Sequence, residues 1–421
     1  MNTELFVTTD GRRDYGQLIR TWRKHVRGWR SAEIVVSLYN EALIAAHEPP
    51  VSVRWWQHME KENAVPMDEK RRRLIQILLG IPPTLLGLPE LVVSSPPPEN
   101  TVSTVQRPLD LQEYGERLTT LWRTTKKQEI CAELVSRIHS LQNTLLYGSS
   151  YERETISSLL CEYLIATGNT YRYHGYFSTG IEYLDKAITL AQEKAYADLQ
   201  IKALYIRGFA LFNQWTTNLH RNHPALLHAS RDFATAAQLA ATSKVALSPS
   251  LRTAIATDGG RAQSYRTQDI QDRRLVMKSI DSGAEHARQI QAQHIEKFLR
   301  VDAEWVHITK AEALIGCGWY REAITVLDHD IIQGDPQAHQ RYLYANILGA
   351  EANIGKGWHD IGMLYLDYAT TSLGETTSRR HLPRIMHIHQ QLLSACPNSQ
   401  ELARLNIKLL RIHHPELFIQ E

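Results

Sequence analysis

The sequence predicts an all-α protein, a small amino-terminal bundle followed by a long array of helix pairs, and three observations carry that expectation. Apolar residues recur at spacings of three and four along most of the chain, with few alternating β-branched runs. The stretch 91–108, LVVSSPPPENTVSTVQRP, interrupts this period with three consecutive prolines, which lack the N–H that a helix interior needs. Beyond it, two distant segments repeat one another: 168–191, GNTYRYHGYFSTGIEYLDKAITLA, and 311–328, AEALIGCGWYREAITVLD. At 421 residues the chain exceeds what a single core sustains. The organisation read from it is a bundle over 1–90, a Pro-rich linker over 91–108 and a repeat domain over 109–421.

The bundle divides into YGQLIRTWRKHVRG (15–28), SAEIVVSLYNEALIAAH (31–47), SVRWWQHMEKEN (52–63), MDEKRRRLIQILLG (67–80) and a final PPTLLGL (82–88). Ser31 and Ser52 stand where a side-chain oxygen can cap a helix amino terminus, and Pro66, Pro82 and Pro83 punctuate the later turns.

In the array, the two matching segments set small residues and a turn glycine at fixed intervals. These are Gly168, Gly175, Phe177, Gly180 and Ala187 in the first, and Ala311, Gly318, Tyr320 and Ala323 in the second. The small residues let two antiparallel helices approach, and the glycine ends the first helix. A third copy fits Ala350, Gly357, Gly362 and Ala369, and a looser one Gly208, Ala229, Phe233 and Ala236 with a long connection over 214–228. Segments 111–147, 248–287 and 380–415 read as further helix pairs. This spacing resembles the tetratricopeptide repeat. The resemblance implies an α-solenoid with a groove for a peptide or protein, its walls supplied by Asn169, Arg172, Tyr173, Phe212, Asn213, Glu312 and Glu351. An Asn amide suits an extended peptide because it both donates and accepts.

The stretch 51–88 resembles the lambda-repressor-like (Xre-type) helix-turn-helix family at Val51, Ser52, Trp56, Met59, Glu60, Lys61, Pro66, Leu79 and Gly80. Segment 31–47 is about twice the length that family gives its second helix. The resemblance implies a recognition helix in the major groove that presents Ser52, Val53, Arg54, Gln57, His58 and Lys61. Arg54 can bond O6 and N7 of guanine, and Gln57 an adenine. Trp56 and Met59, three apart, face the core. Basic residues suited to phosphates accompany it: Arg20, Arg23, Lys24 and Arg27 within the run from Arg12 to Arg30, and Lys70 to Arg73 at the start of the fourth helix.

The remaining chemistry is sparse. The net charge of +2 is uninformative, so basic residues must act locally. Cys131, Cys161, Cys317 and Cys396 form no CxxC pair and read as reduced and buried. Nineteen histidines include no HExxH, and His387, His389, His413 and His414 lack partners at ligand spacing. GAEANIGK (349–356) has the wrong glycine spacing for a phosphate loop, and Asp258-Gly259-Gly260 is a turn or close helix crossing. No enzyme, metal or cofactor is expected. Without a run of about 18 apolar residues or a signal-peptide core, the expected setting is cytoplasmic.

A helix-turn-helix ahead of such an array is similar in layout to peptide-pheromone-responsive bacterial regulators. That layout implies a homodimeric regulator binding double-stranded DNA under control of a peptide or protein. The alternative is a protein-interaction scaffold whose helix-turn-helix no longer binds DNA.

Overall fold

The computed structural model describes residues 6, 13–89, 110–123, 130–147, 150–217, 222–243, 245–288, 303–333, 339–376 and 379–418. The whole of the Pro-rich linker, 91–108, lies outside them. The fold is all-α, and the described residues divide into two compact units. Unit 1 comprises 1–95, 359–374 and 388–421; unit 2 comprises 96–358 and 375–387.

Unit 1 begins with α1 (Tyr15–Thr21), which runs into a π-helical turn over Trp22–Val26. Next come α2 (Ala32–Ala45), α3 (Val53–Glu62) and α4 (Glu69–Leu79), followed by a 3-10 turn over Pro83–Leu86. The starts follow side-chain capping: Asp14, Ser31, Ser52 and Asp68 each accept a hydrogen bond from an otherwise orphan backbone N–H. Helices α3 and α4 stop at left-handed residues, Asn63 (φ 53°) and Gly80 (φ 71°). The core joins Ile19, Val35, Tyr39, Leu43, Trp56, Leu74, Leu78 and Leu86 to Ala403, Ile407, Leu410 and Phe418. Its far-sequence members lie on or just beyond Gln400–His413, the last α-helix, which packs against α4 and α2.

Unit 2 opens with α5 (Leu111–Arg123), α6 (Cys131–Tyr147), α7 (Ser150–Tyr173), α8 (Phe177–Glu193), α9 (Ala197–Trp215) and α10 (Pro224–Thr242). It continues through α11 (Pro249–Ser264), α12 (Ile270–Arg288), α13 (Ala303–Gly316), α14 (Tyr320–Gln333) and α15 (His339–Gly355). From α6 to α15 each helix packs on the next, and the odd-numbered helices α5 to α15 also pack on one another in order, the layered arrangement of an α-solenoid. Three later helices follow: α16 (His359–Gly374) in unit 1, α17 (Leu382–Ala395) with only its first six residues in unit 2, and α18 (Gln400–His413) in unit 1.

The small residues explain how closely the helices approach. Gly168 of α7 faces Gly180 of α8, and a Cβ on Gly168 would stand 2.8 Å from the Gly180 carbonyl oxygen and 2.5 Å from Leu184 Cγ. Gly175, Gly318 and Gly357 sit at helix ends with φ of 85°, 77° and 85°, a region that L side chains avoid. No described helix is long and apolar enough to cross a membrane. None of the four cysteines is joined in a disulfide among the described residues. Burial pushes Cys131 up to about 11 and Cys161 up to about 12, so both stay protonated and unreactive at neutral pH.

Candidate functional site

The outward face of α3 is fixed from behind by four devices. At its start, Asn40 of α2 holds Val51 through both amide atoms, donating to the carbonyl (2.9 Å) and accepting from the N–H (2.7 Å). Ser52 Oγ then caps the helix by accepting from Trp55 N. At its end, Asn63 Oδ1 accepts from Gly16 N while Asn63 Nδ2 donates to the Arg13 carbonyl. Between them Gly16 lets α1 touch α3, since a Cβ there would lie 2.8 Å from the Met59 carbonyl oxygen.

Burial along α3 follows the helical period. Trp56, Met59 and Glu60 point inward, whereas Ser52, Arg54, Gln57, His58 and Lys61 are exposed. Val53 is half-buried against the core, and Trp55 is half-buried and stacked on Tyr39 at 6.3 Å. All five exposed side chains are polar groups of the kind that read base edges or contact phosphates.

The basic residues separate sharply. Arg20 is exposed and Lys24 half-buried, so both are available at the surface. Arg23 is 3% exposed: its Nε and Nη2 donate to the two Glu60 carboxylate oxygens at 2.6 and 2.7 Å, and its Nη1 donates to the Trp29 and Arg30 carbonyls. Arg27, also buried, donates to the Leu78 and Leu79 carbonyls at the end of α4 and to the Pro397 carbonyl; burial pushes it down to about 10. These two arginines are occupied inside the bundle and leave the phosphate-contact set. The 70–73 run is largely occupied too. Lys70 donates to the Ala46 carbonyl, Arg71 pairs with Glu48 at 2.9 Å, and buried Arg73 donates to Glu69 and to the Pro89 carbonyl. The signal that could have exposed this is Glu60, an acid on the same helix face as Trp56 and Met59, which needs a buried cation.

In unit 2, all seven groove candidates belong to one polar cluster that runs along the odd-numbered helices. Asn169 accepts from Arg172 Nε and Nη2, and Asn213 accepts from Arg172 Nη1 at 3.0 Å. Tyr173 accepts from Gln340 and lies under the Arg380 guanidinium at 5.4 Å. Phe212 is fully buried beneath Arg261, whose Nη1 donates to Glu312. Arg384 bridges Glu312 at 2.6 Å and Glu351 at 2.5 Å. Phe212, Asn213, Arg172 and Glu312 are buried, while Asn169, Tyr173 and Glu351 keep partial exposure. Arg261, Arg380, Arg384, Asp258, Tyr344 and His381 were not legible as members, because an arginine in a helix looks the same in sequence whether it faces water or a buried acid.

Electrostatics in this cluster follow from burial and the excess of guanidinium. Desolvation pushes Arg172 down to about 9 and lowers Arg380. Burial together with Arg380, Arg384, Arg172 and Arg261 holds His381 well below the ordinary imidazole range, so its ring is neutral and its Nε2 accepts from Arg380 Nε at 2.9 Å. Glu312 is held below the ordinary carboxylate range: burial opposes this, and Arg261 and Arg384 outweigh it. A separate open cleft of about 420 Å³, lined by Gly259, Gly260, Gln263, Thr267, Asp272, Leu275, Val276 and Ser279, carries one acid and no convergent charged set. Comparison with known proteins found no matching family model and no matching curated protein.

Proposed function

We propose that this chain is a sequence-specific DNA-binding transcription regulator, with α3 as the reading helix and unit 2 as the part that senses a peptide or protein. The observation that carries the reading is the row Arg54, Gln57, His58 and Lys61, exposed on a helix whose other face is locked by Trp56, Met59 and Glu60. The similarity of 51–88 to Xre-type regulators supports a major-groove role for it, and the tetratricopeptide-like spacing supports a binding role for the array. A homodimer on paired half-sites, in the bacterial cytoplasm, belongs to the same proposal. Arg20 and Lys24 remain as phosphate contacts.

The second reading, a scaffold whose bundle no longer binds DNA, is favoured by the internal use of Arg23, Arg27, Arg71 and Arg73, which thins the basic surface. Selection of bound fragments from sheared bacterial DNA at about 150 mM salt decides between the two. The regulator yields a shared site whose affinity Arg54→Ala lowers by about 1–3 kcal/mol, and Lys61→Ala flattens the salt slope by roughly 0.9 if Lys61 meets a phosphate. Recovery of no common sequence, with and without cell extract, sinks the DNA reading and favours the scaffold.

A further inference from the structure

The polar cluster of unit 2 carries four guanidiniums, Arg172, Arg261, Arg380 and Arg384, against three carboxylates, Asp258, Glu312 and Glu351. The pairing is uneven. Arg261 meets Asp258 and Glu312 at 3.0 Å each, and Arg384 meets Glu312 and Glu351, so two arginines share all three acids. Arg172 and Arg380 have no carboxylate within 4 Å among the described residues.

The groups those two touch are neutral, and Asp258 acts on Arg172 only from beyond contact distance. Arg172, 6% exposed, meets only the Asn169 and Asn213 side-chain oxygens and the face of Phe209 at 4.6 Å. Three of its five N–H groups are satisfied by amide oxygens. Arg380 donates to the His381 ring and, at 3.5 Å, to the Gln340 side-chain oxygen, and it lies over Tyr173. Arg380, which lies over the ring of Tyr173 next to Arg172 in the chain, lowers the proton affinity of Arg172, and Arg261 lowers that of Arg380. Asn169, Tyr173, Gln340, Glu351 and Arg380 are partly exposed members of the cluster, whereas Arg261 and Arg384 are each 1% exposed.

A buried cation without an anion in contact is strongly unfavourable, and a second cation acting on it makes it more so. We propose that Arg172 and Arg380 form an oxyanion site, in which one carboxylate or phosphate group of a ligand takes charge-assisted hydrogen bonds from both guanidiniums. The planar fork of arginine suits either group. Asn169 and Asn213 hold the Arg172 fork, and the ion pairs of Arg261 and Arg384 fix the wall behind it. The site deepens the sensing half of the function proposed above and rests on that reading of unit 2, with the ligand class now an anion-bearing molecule. It is independent of whether α3 binds DNA.

The test is thermal unfolding and calorimetric titration of the full chain with inorganic phosphate in one arm and acetate in the other, each against chloride at equal ionic strength. Because phosphate stabilises many proteins by exclusion from their surfaces, the response must depend on the two arginines. At about a hundredfold excess over Kd, linkage gives a rise in unfolding temperature on the order of 5 °C in the arm whose anion fits. Arg380→Gln, at a partly exposed position, abolishes that rise and unfolds at the same or a higher temperature in chloride, since it removes the like charge beside Arg172. Arg172→Gln abolishes it as well.

A response to phosphate alone identifies a phosphate-bearing ligand, and a response to acetate alone a carboxylate. No response in either arm, or a response that survives in folded Arg380→Gln, overturns the site. So does an Arg380→Gln protein that unfolds at lower temperature in chloride, because Arg380 is then a structural donor to His381. The DNA selection reads α3 alone, so loss of the anion response with a recovered operator, or the reverse, tells the two failures apart.

Discussion

Removing Glu60 strands the guanidinium it neutralises. Arg23 is 3% and Glu60 8% exposed, and their two parallel hydrogen bonds, 2.6 and 2.7 Å, are the bidentate form of this pair. Glu60 also accepts from Trp56 Nε1 at 2.7 Å, so Glu60→Ala leaves three buried N–H groups without their acceptor, two of them on a charged donor. Loss of one partner of such a pair costs about 3–5 kcal/mol, a large share of the roughly 5–15 kcal/mol that stabilises a typical domain. Glu60→Gln should fall between the wild type and the alanine variant, because the amide oxygen still accepts but its NH2 confronts a donor. Replacing both residues, Arg23→Met with Glu60→Leu, should recover most of the loss, since the cost lies in the orphaned charge rather than in the missing bridge. Urea unfolding followed by tryptophan fluorescence gives the totals, and amide exchange in α1 and α3 localises them. A control at exposed Glu62 should stay within about 0.5 kcal/mol. The reasoning is refuted if Glu60→Ala costs less than about 1 kcal/mol, or if the double variant loses as much as the two single ones combined.

Acid should weaken unit 1 through His389. Burial holds this imidazole down to about 4, from an ordinary value of 6.5, against the opposing hydrogen bond with the Leu402 carbonyl. The unfolded chain therefore binds a proton that the folded chain refuses between those values, and stability present above pH 6.5 declines as pH falls toward 4, by about 3 kcal/mol in full. His389→Gln should flatten that limb of the stability profile; an unchanged limb would show that other groups set it. Gly168→Ala should destabilise unit 2 by about 1–3 kcal/mol, because its Cβ meets a backbone carbonyl and Leu184 rather than a yielding side-chain end. Calorimetry reads this, and a neutral result would mean that α7 and α8 can separate freely. Asn40→Ala removes both bonds to Val51 and should cost about 1–2 kcal/mol. Under the regulator reading it should also weaken DNA binding without touching a DNA-facing residue, and unchanged affinity in a gel-shift titration would separate the turn from the reading helix.

Local order was legible and long-range pairing was not. The capping serines Ser31 and Ser52, the turn glycines Gly175, Gly318 and Gly357, and the inward Trp56 and Met59 all follow from rules that span a few residues, and each lies where the spacing puts it. Arg23, Arg27, Arg172 and Arg384 behave otherwise. Their partners are 37, 52, 41 and 72 residues away, and no local pattern distinguishes an arginine bound for an interior acceptor from one bound for solvent. The same limit hides the apolar row Ala403, Ile407 and Leu410, which reads simply as one face of an amphipathic helix and whose counterpart lies more than 300 residues earlier.

That counterpart has a temporal meaning. A ribosome delivers Leu18 to Leu88 before Ala403 to Phe418, so the bundle's apolar surface is left open on one side while some 300 residues are made. At roughly 5–20 residues per second this lasts on the order of 15–60 s, far longer than helices take to form. Until α18 arrives, Leu74, Leu78 and Tyr39 belong to an unfinished core. Helix α3 therefore rests on a finished support only once α18 has been made, and a nascent chain stalled before residue 400 should carry a bundle that chaperones recognise as incomplete.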